Sequence, residues 1–139
     1  MRFDFSSASG ARAVTSLPML PLSLCHRGGP RLAVEGLLDT GASVNVLPHR
    51  LGLQLGASWS ERAPVVRLTG NLSRFEARAL LVLGQVADFP PVPSAFAWSQ
   101  AEEVPLLLGQ VNFFAEFDVC FYRSQFAFDI RPRSGTNSP

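Results

Sequence analysis

The run Leu37-Leu38-Asp39-Thr40-Gly41-Ala42-Ser43 carries an acid from two apolar residues into a tight turn of small ones. Leu32, Val34, Leu37 and Leu38 before it, and Val44, Val46 and Leu47 after it, read as strand interiors, so Asp39 falls on a loop between two buried strands. An unpaired charge is costly there, so the carboxylate must be used or compensated. The chemistry open to it is proton transfer. An ionised carboxylate takes a proton from water, and a protonated one donates to a carbonyl oxygen. Two carboxylates a few ångströms apart hold one proton between them, because like charges raise one pKa, and such a pair does both at once.

Other chemistries lack their residues. His26 and His49 are isolated, beside turn-forming Gly28-Gly29 and Pro48, and read as surface residues. No cysteine–histidine cluster with ligand spacing is present, so neither a metal nor another cofactor is expected. A Gly-x-Ser-x-Gly elbow is also missing, which argues against a nucleophile-based hydrolase. Cys25 and Cys120 lie in apolar, strand-like stretches and read as buried free thiols in a reducing compartment.

The Asp39-Thr40-Gly41-Ala42-Ser43 run resembles the active-site loop of aspartic proteases, and Leu106-Leu107-Leu108-Gly109 resembles that family's second signature, apolar residues and a Gly ahead of a short helix. Gly109 lies 70 residues after Asp39, in the order the family requires and with room for a flap hairpin between. With one Asp-Thr-Gly in a chain too short for two lobes, the resemblance is to the retropepsin-like branch, in which two chains build one site. It covers about Leu20 to Ile130. One departure is Gln110, where the family often has an Arg that pairs with an acid near the loop; Ser43 stands at the acid's position, so a hydrogen bond from Gln110 to Ser43 is expected in place of the ion pair.

The resemblance implies an aspartic endopeptidase, active as a homodimer in which the two Asp39 carboxylates meet on a twofold axis and activate water. It implies that Thr40 bonds across the axis, that Gly41 lets the backbone approach the carboxylates, and that Ser43 edges the substrate groove. Leu107 and Leu108 would pack beneath the loop, and Gly109 would leave space for it. Thr69, Gly70 and Asn71 would form a flap tip against an extended peptide or protein substrate. Ala42 offers no hydroxyl to the dyad where many pepsin-like loops have Ser, which implies work in mildly acidic solution, about pH 5 to 6. The alternative is a catalytically inactive dimerisation or peptide-binding module of the same fold. Intact Asp39-Thr40-Gly41 argues against it, and Gln110 allows it.

Composition agrees. A length of 139 residues suits one domain, 47% hydrophobic residues supply a core, and 11 Phe with 11 Pro favour β structure over long helices. The fold expected is all-β, a closed or orthogonal barrel protomer with one short helix after Gly109. Its organisation is an N-terminal arm over 1–16 that orders at a subunit contact, one domain over 17–131, and a disordered tail over 132–139. A net charge of +1 gives no reason to expect nucleic acid or acidic membranes as partners. All 12 basic residues are Arg, which reads as codon bias in a GC-rich genome. With no signal peptide or membrane-length apolar run in this sequence, a bacterial cytoplasmic protein is expected.

The elements that position Asp39 follow from turn and period signals. Leu20 to Leu24 and Leu32 to Leu38 flank a turn at His26 to Pro30 and form a hairpin. Pro48 ends the strand Val44 to Leu47, and a single helical turn follows over His49 to Leu53. Val65 to Thr69 and Leu72 to Val82 flank Gly70-Asn71 and read as the flap hairpin, although Arg67 opposite Arg74 would make its tip irregular. Phe89 to Pro93 is too proline-rich for a central strand, and Phe96 to Trp98 reads as a short one. Phe113, Phe114 and Phe117 share one side of the helix after Gly109, and Phe117 to Tyr122 and Gln125 to Ile130 form a last strand pair with Asp118 and Asp129 facing outward.

Overall fold

The computed structural model of the chain describes residues 1–6 and 16–133. Nine strands dominate it: β1 (Arg2–Asp4), β2 (Met19–Cys25), β3 (Arg31–Leu38), β4 (Val46–Leu47), β5 (Ala77–Gln85), β6 (Val92–Ser99), β7 (Leu107–Leu108), β8 (Phe117–Tyr122) and β9 (Ala127–Pro132). Two short helices interrupt them, α1 (His49–Gln54) and α2 (Phe113–Glu116). Six strands close into a barrel in the order β2-β3-β7-β4-β6-β5, sealed by β5 against β2, and the remaining three form a sheet in the order β1-β9-β8. The chain is therefore all-β.

Alternation builds the barrel. In β2 the buried Leu20, Leu22 and Leu24 point inward, and their partners Gly36, Val34 and Leu32 complete an antiparallel hairpin around the turn at His26 to Pro30. From β3 the chain passes through the Asp39 loop into β4, and Pro48 starts α1 because a proline nitrogen needs no partner at a helix start. Gly52 on α1 is required by close approach, since a Cβ there would sit 2.2 Å from the Trp98 ring. That packing also settles His49. Its ring stacks on Trp98 at 5.5 Å and meets Trp59 edge-on at 5.8 Å, so His49 joins an aromatic cluster and is no surface residue.

The first residues are not all a free arm, because β1 lies in the same chain's sheet as a partner of β9, with Phe3 stacked on Phe128 at 5.4 Å. Pro132 belongs to β9, while 7–15 of the arm and 134–139 of the tail lie outside the described residues. β6 begins at Val92 and includes Pro93. It can do so because β4 pairs only with Ala97 and Trp98, which leaves the proline on a stretch with a free edge. α2 ends at Glu116 and Phe117 opens β8, yet Phe113 and Phe117 still stack at 4.7 Å in the core. Cys25 is half-buried and Cys120 exposed; both are free thiols, but neither is buried. Asp118 is exposed, and Asp129 is half-buried.

Candidate active site

The Asp39 loop is held by the residues that follow β7. β3 and β7 run parallel, with Leu37 opposite Leu107 and Leu38 opposite Leu108, and the ladder continues past the strand end where Asp39 N–H donates to the Leu108 carbonyl at 3.0 Å. Leu107 borders the cleft above, while Leu108 is 1% exposed and anchors the floor in the core. The turn then closes on itself. Ala42 N–H donates to the Asp39 carbonyl at 3.1 Å, and Gly41 N–H to Asp39 Oδ1 at 2.9 Å, which orients the half-buried carboxylate.

Past the turn, the loop and the Gly109 segment interlock. Gln110 N–H donates to the Ala42 carbonyl at 2.9 Å and Val111 N–H to the Ser43 carbonyl at 2.8 Å. A Cβ on Gly109 would lie 2.5 Å from the Val44 oxygen and 2.9 Å from the Ala42 oxygen, so only glycine lets the two backbones approach this closely. The Gln110 side chain does not reach Ser43 as expected. Its Nε2 donates to the Thr40 carbonyl at 2.8 Å, so the amide ties the segment after β7 to the aspartate turn itself.

Asn45 is the residue that motif reasoning passed over. It sits 1% exposed among apolar neighbours, and its Oδ1 accepts the buried Gly109 N–H at 2.8 Å. Its Nδ2 donates to Ser94 Oγ at 3.2 Å, and its own N–H donates to Asn112 Oδ1 at 2.7 Å. A buried amide with both ends satisfied joins the loop, the Gly109 segment and β6. The sequence offers no local signal for it, because between Val44 and Val46 a two-residue period puts residue 45 on the opposite face, where a polar side chain is ordinary.

Over the carboxylate lies a cleft of about 180 Å³. Its floor is Asp39, Gly41, Ala42 and Ser43, its walls include Val44 and Val46, and its roof is Leu68, Thr69 and Leu72. Among the described residues, Asp39 is the one ionisable member of this lining. The roof is not the regular hairpin expected. The two arms of the 65–82 segment meet each other only at their base, where Val65 bridges to Arg78 and Val66 N–H donates to the Ala77 carbonyl at 3.0 Å, and Gly70–Leu72 is a single 3-10 turn. Gly70 takes a φ of +66°, which glycine adopts freely. The Arg67 and Arg74 charges that a symmetric register would oppose are thereby kept off a ladder. Thr69 borders the cleft, whereas Gly70 and Asn71 lie beyond its lining, and Leu68 and Leu72 supply the apolar roof in their place.

The roof's base is clamped by Arg78. Its Nη1 donates to the carbonyls of Glu61 at 2.7 Å and Ala63 at 2.8 Å, and its guanidinium pairs with the carboxylates of Glu61 and Glu76. Among the described residues, no group of three or more His, Cys, Asp or Glu is placed to hold a metal ion. No helix there is long and apolar enough to cross a membrane. Comparison with protein-family models and with curated proteins finds no match for this chain.

Proposed function

We propose that this chain is one protomer of a retropepsin-like aspartic endopeptidase, and that two copies make one active site. The observation that carries the reading is the interlock of the Asp39 turn with the Leu107-Leu108-Gly109 segment, beneath a cleft roofed by Leu68 to Leu72. A single carboxylate cannot both accept a proton from water and protonate a carbonyl in one step, and among the described residues the cleft lining holds no second ionisable group. A twofold axis beside the loop supplies the missing carboxylate as Asp39 of the second copy.

In that site the ionised Asp39 takes a proton from water as its oxygen bonds to the scissile carbonyl carbon, and the protonated Asp39 donates to the carbonyl oxygen. The tetrahedral diol then collapses: the carbon–nitrogen bond breaks, the amine leaves with a proton, and the dyad returns to one shared proton. Gly41 N–H at Asp39 Oδ1 orients one carboxylate oxygen throughout. Thr40 is exposed and would bond across the axis, while Ser43 at the cleft floor would meet substrate. The substrate is an extended peptide threaded between floor and roof. A cytoplasmic location in a bacterium accords with this reading.

The test is hydrolysis of a peptide library, with titration by a pepstatin-type inhibitor. One inhibitor should bind per two chains, and Asp39→Asn should lower kcat/KM by at least about a hundredfold while leaving the thermal transition in place. Binding of one inhibitor per chain, or an active Asp39→Asn protein, would remove the two-carboxylate site.

A further inference from the structure

β8 is an edge strand, and its free edge has a definite hydrogen-bonding face. Ile130 on β9 exchanges both backbone bonds with Met1, donating at 2.8 Å and accepting at 2.7 Å, so its N–H and carbonyl point away from β8. Val119 stands directly opposite Ile130 and cannot bond to it, so the Val119 N–H and carbonyl aim outward from the sheet. With the two-residue period, the same holds for Phe121. The Phe117 N–H is different, because it closes α2 on the Phe113 carbonyl. Among the described residues no strand pairs with this edge, and it is flanked by Phe121 at 37%, Tyr122 at 36% and Phe126 at 49% exposure. Unpaired, apolar-flanked edges attract a further strand.

We infer that the outer edge of β8 is where a second copy of this chain docks, antiparallel, with Val119 of each copy opposite Phe121 of the other. The inference rests on the two-chain reading above, since the site is incomplete without a second copy. The register follows from satisfaction and charge. Pairing Val119 with Phe121 of the second copy uses every outward group of both residues, in about four backbone hydrogen bonds across the axis. A slip that places Val119 opposite its own copy would match Phe121 with Phe117, whose N–H is already taken, and would bring the two Asp118 carboxylates to diagonal positions on one face. In the favoured register each Asp118 faces a Tyr122 and the acids are far apart. Val119 of one copy then covers the half-exposed Phe121 of the other.

Cys120 falls on the twofold axis in this arrangement, opposite itself in a pair without backbone bonds, where Cα atoms stand about 4.5 Å apart. That spacing lies within disulfide reach, and both thiols are on the exposed face. The full chain is therefore oxidised with diamide, which takes two electrons and two protons from two thiols and is reduced to its hydrazine. A disulfide-linked dimer should form, persist in Cys25→Ser and vanish in Cys120→Ser. In sedimentation, Cys120→Lys should weaken association at least about tenfold by placing like charges on the axis, and an equal mixture of Cys120→Lys and Cys120→Glu should restore it. Val119→Pro removes an outward N–H without touching the β8–β9 ladder and should also give monomers. A dimer that ignores these substitutions and forms no Cys120 disulfide overturns the inference, as does a chain that stays monomeric at all concentrations. A cross-linked dimer without peptidase activity keeps the β8 contact and removes the protease reading. A peptidase that tracks a dimer unaffected by Cys120→Lys does the reverse.

Discussion

Asn45→Ala tests the polar tie beneath the aspartate loop. The substitution removes the acceptor of the Gly109 N–H, a bond of 2.8 Å in a buried setting, and the donor to Ser94 Oγ at 3.2 Å. A backbone N–H stranded in the interior costs about 1–3 kcal/mol. Loss of the amide also leaves a void of roughly 40 Å³, and at about 24 cal/mol per Å³ that adds ~1 kcal/mol. The sum is about 2–4 kcal/mol. For a domain of this size the unfolding entropy is about 0.3 kcal/mol per degree, so the thermal midpoint should fall by about 7–14 °C. Scanning calorimetry at fixed protein concentration measures it, with Gln110→Ala as the comparison. Gln110 bonds to the Thr40 carbonyl at an exposed position, so its removal should cost under about 1 kcal/mol. Well below the midpoint, Asn45→Ala should also lower kcat at least about tenfold with KM little changed, because a small displacement of a catalytic group is expensive. A midpoint within 2 °C of wild type, or a larger loss from Gln110→Ala than from Asn45→Ala, would refute the assignment of Asn45 as the tie.

Gly109→Ala should cost more than ordinary overpacking, about 3 kcal/mol or above, because the new Cβ would lie 2.5 Å from the Val44 oxygen and a backbone cannot yield as a side chain does; urea unfolding reads this, and a cost under 1 kcal/mol would show that the loop gives way. Arg78→Met should loosen the roof's base by removing charged donors from the Glu61 and Ala63 carbonyls, raising KM more than it lowers kcat, and steady-state kinetics on one peptide checks the split. Ala42→Ser adds a hydroxyl donor on the floor of the cleft, and the acidic limb of the kcat/KM profile between about pH 3 and 8 should move to lower pH; a fixed or upward-moving limb counts against residue 42 as a tuner of the dyad.

Local pattern was enough to read much of this chain. Period-two alternation and the turn at His26 to Pro30 specify the β2–β3 hairpin. Two apolar residues, then acid, Thr and Gly, place Asp39 at a strand end, and Pro48 marks the start of α1. These signals are legible because each lies within a few residues and is decided by backbone sterics or by which face is wetted. The parts that escaped depend on partners far along the chain. Nothing near Asn45 announces that it will meet Gly109, 64 positions on, and nothing near Gly52 announces the Trp98 ring. Pro93 reads as a strand breaker until the short reach of β4 leaves its stretch of β6 an edge. β1 reads as an arm until β9 offers it a ladder. Residue types and order determined where the Asp39-Thr40-Gly41 turn falls and that the chain is built of strands. Only tertiary structure decided which backbone locks the aspartate turn, what roofs the cleft and which edge stays open, because those depend on contacts that exist only once distant segments have closed the barrel.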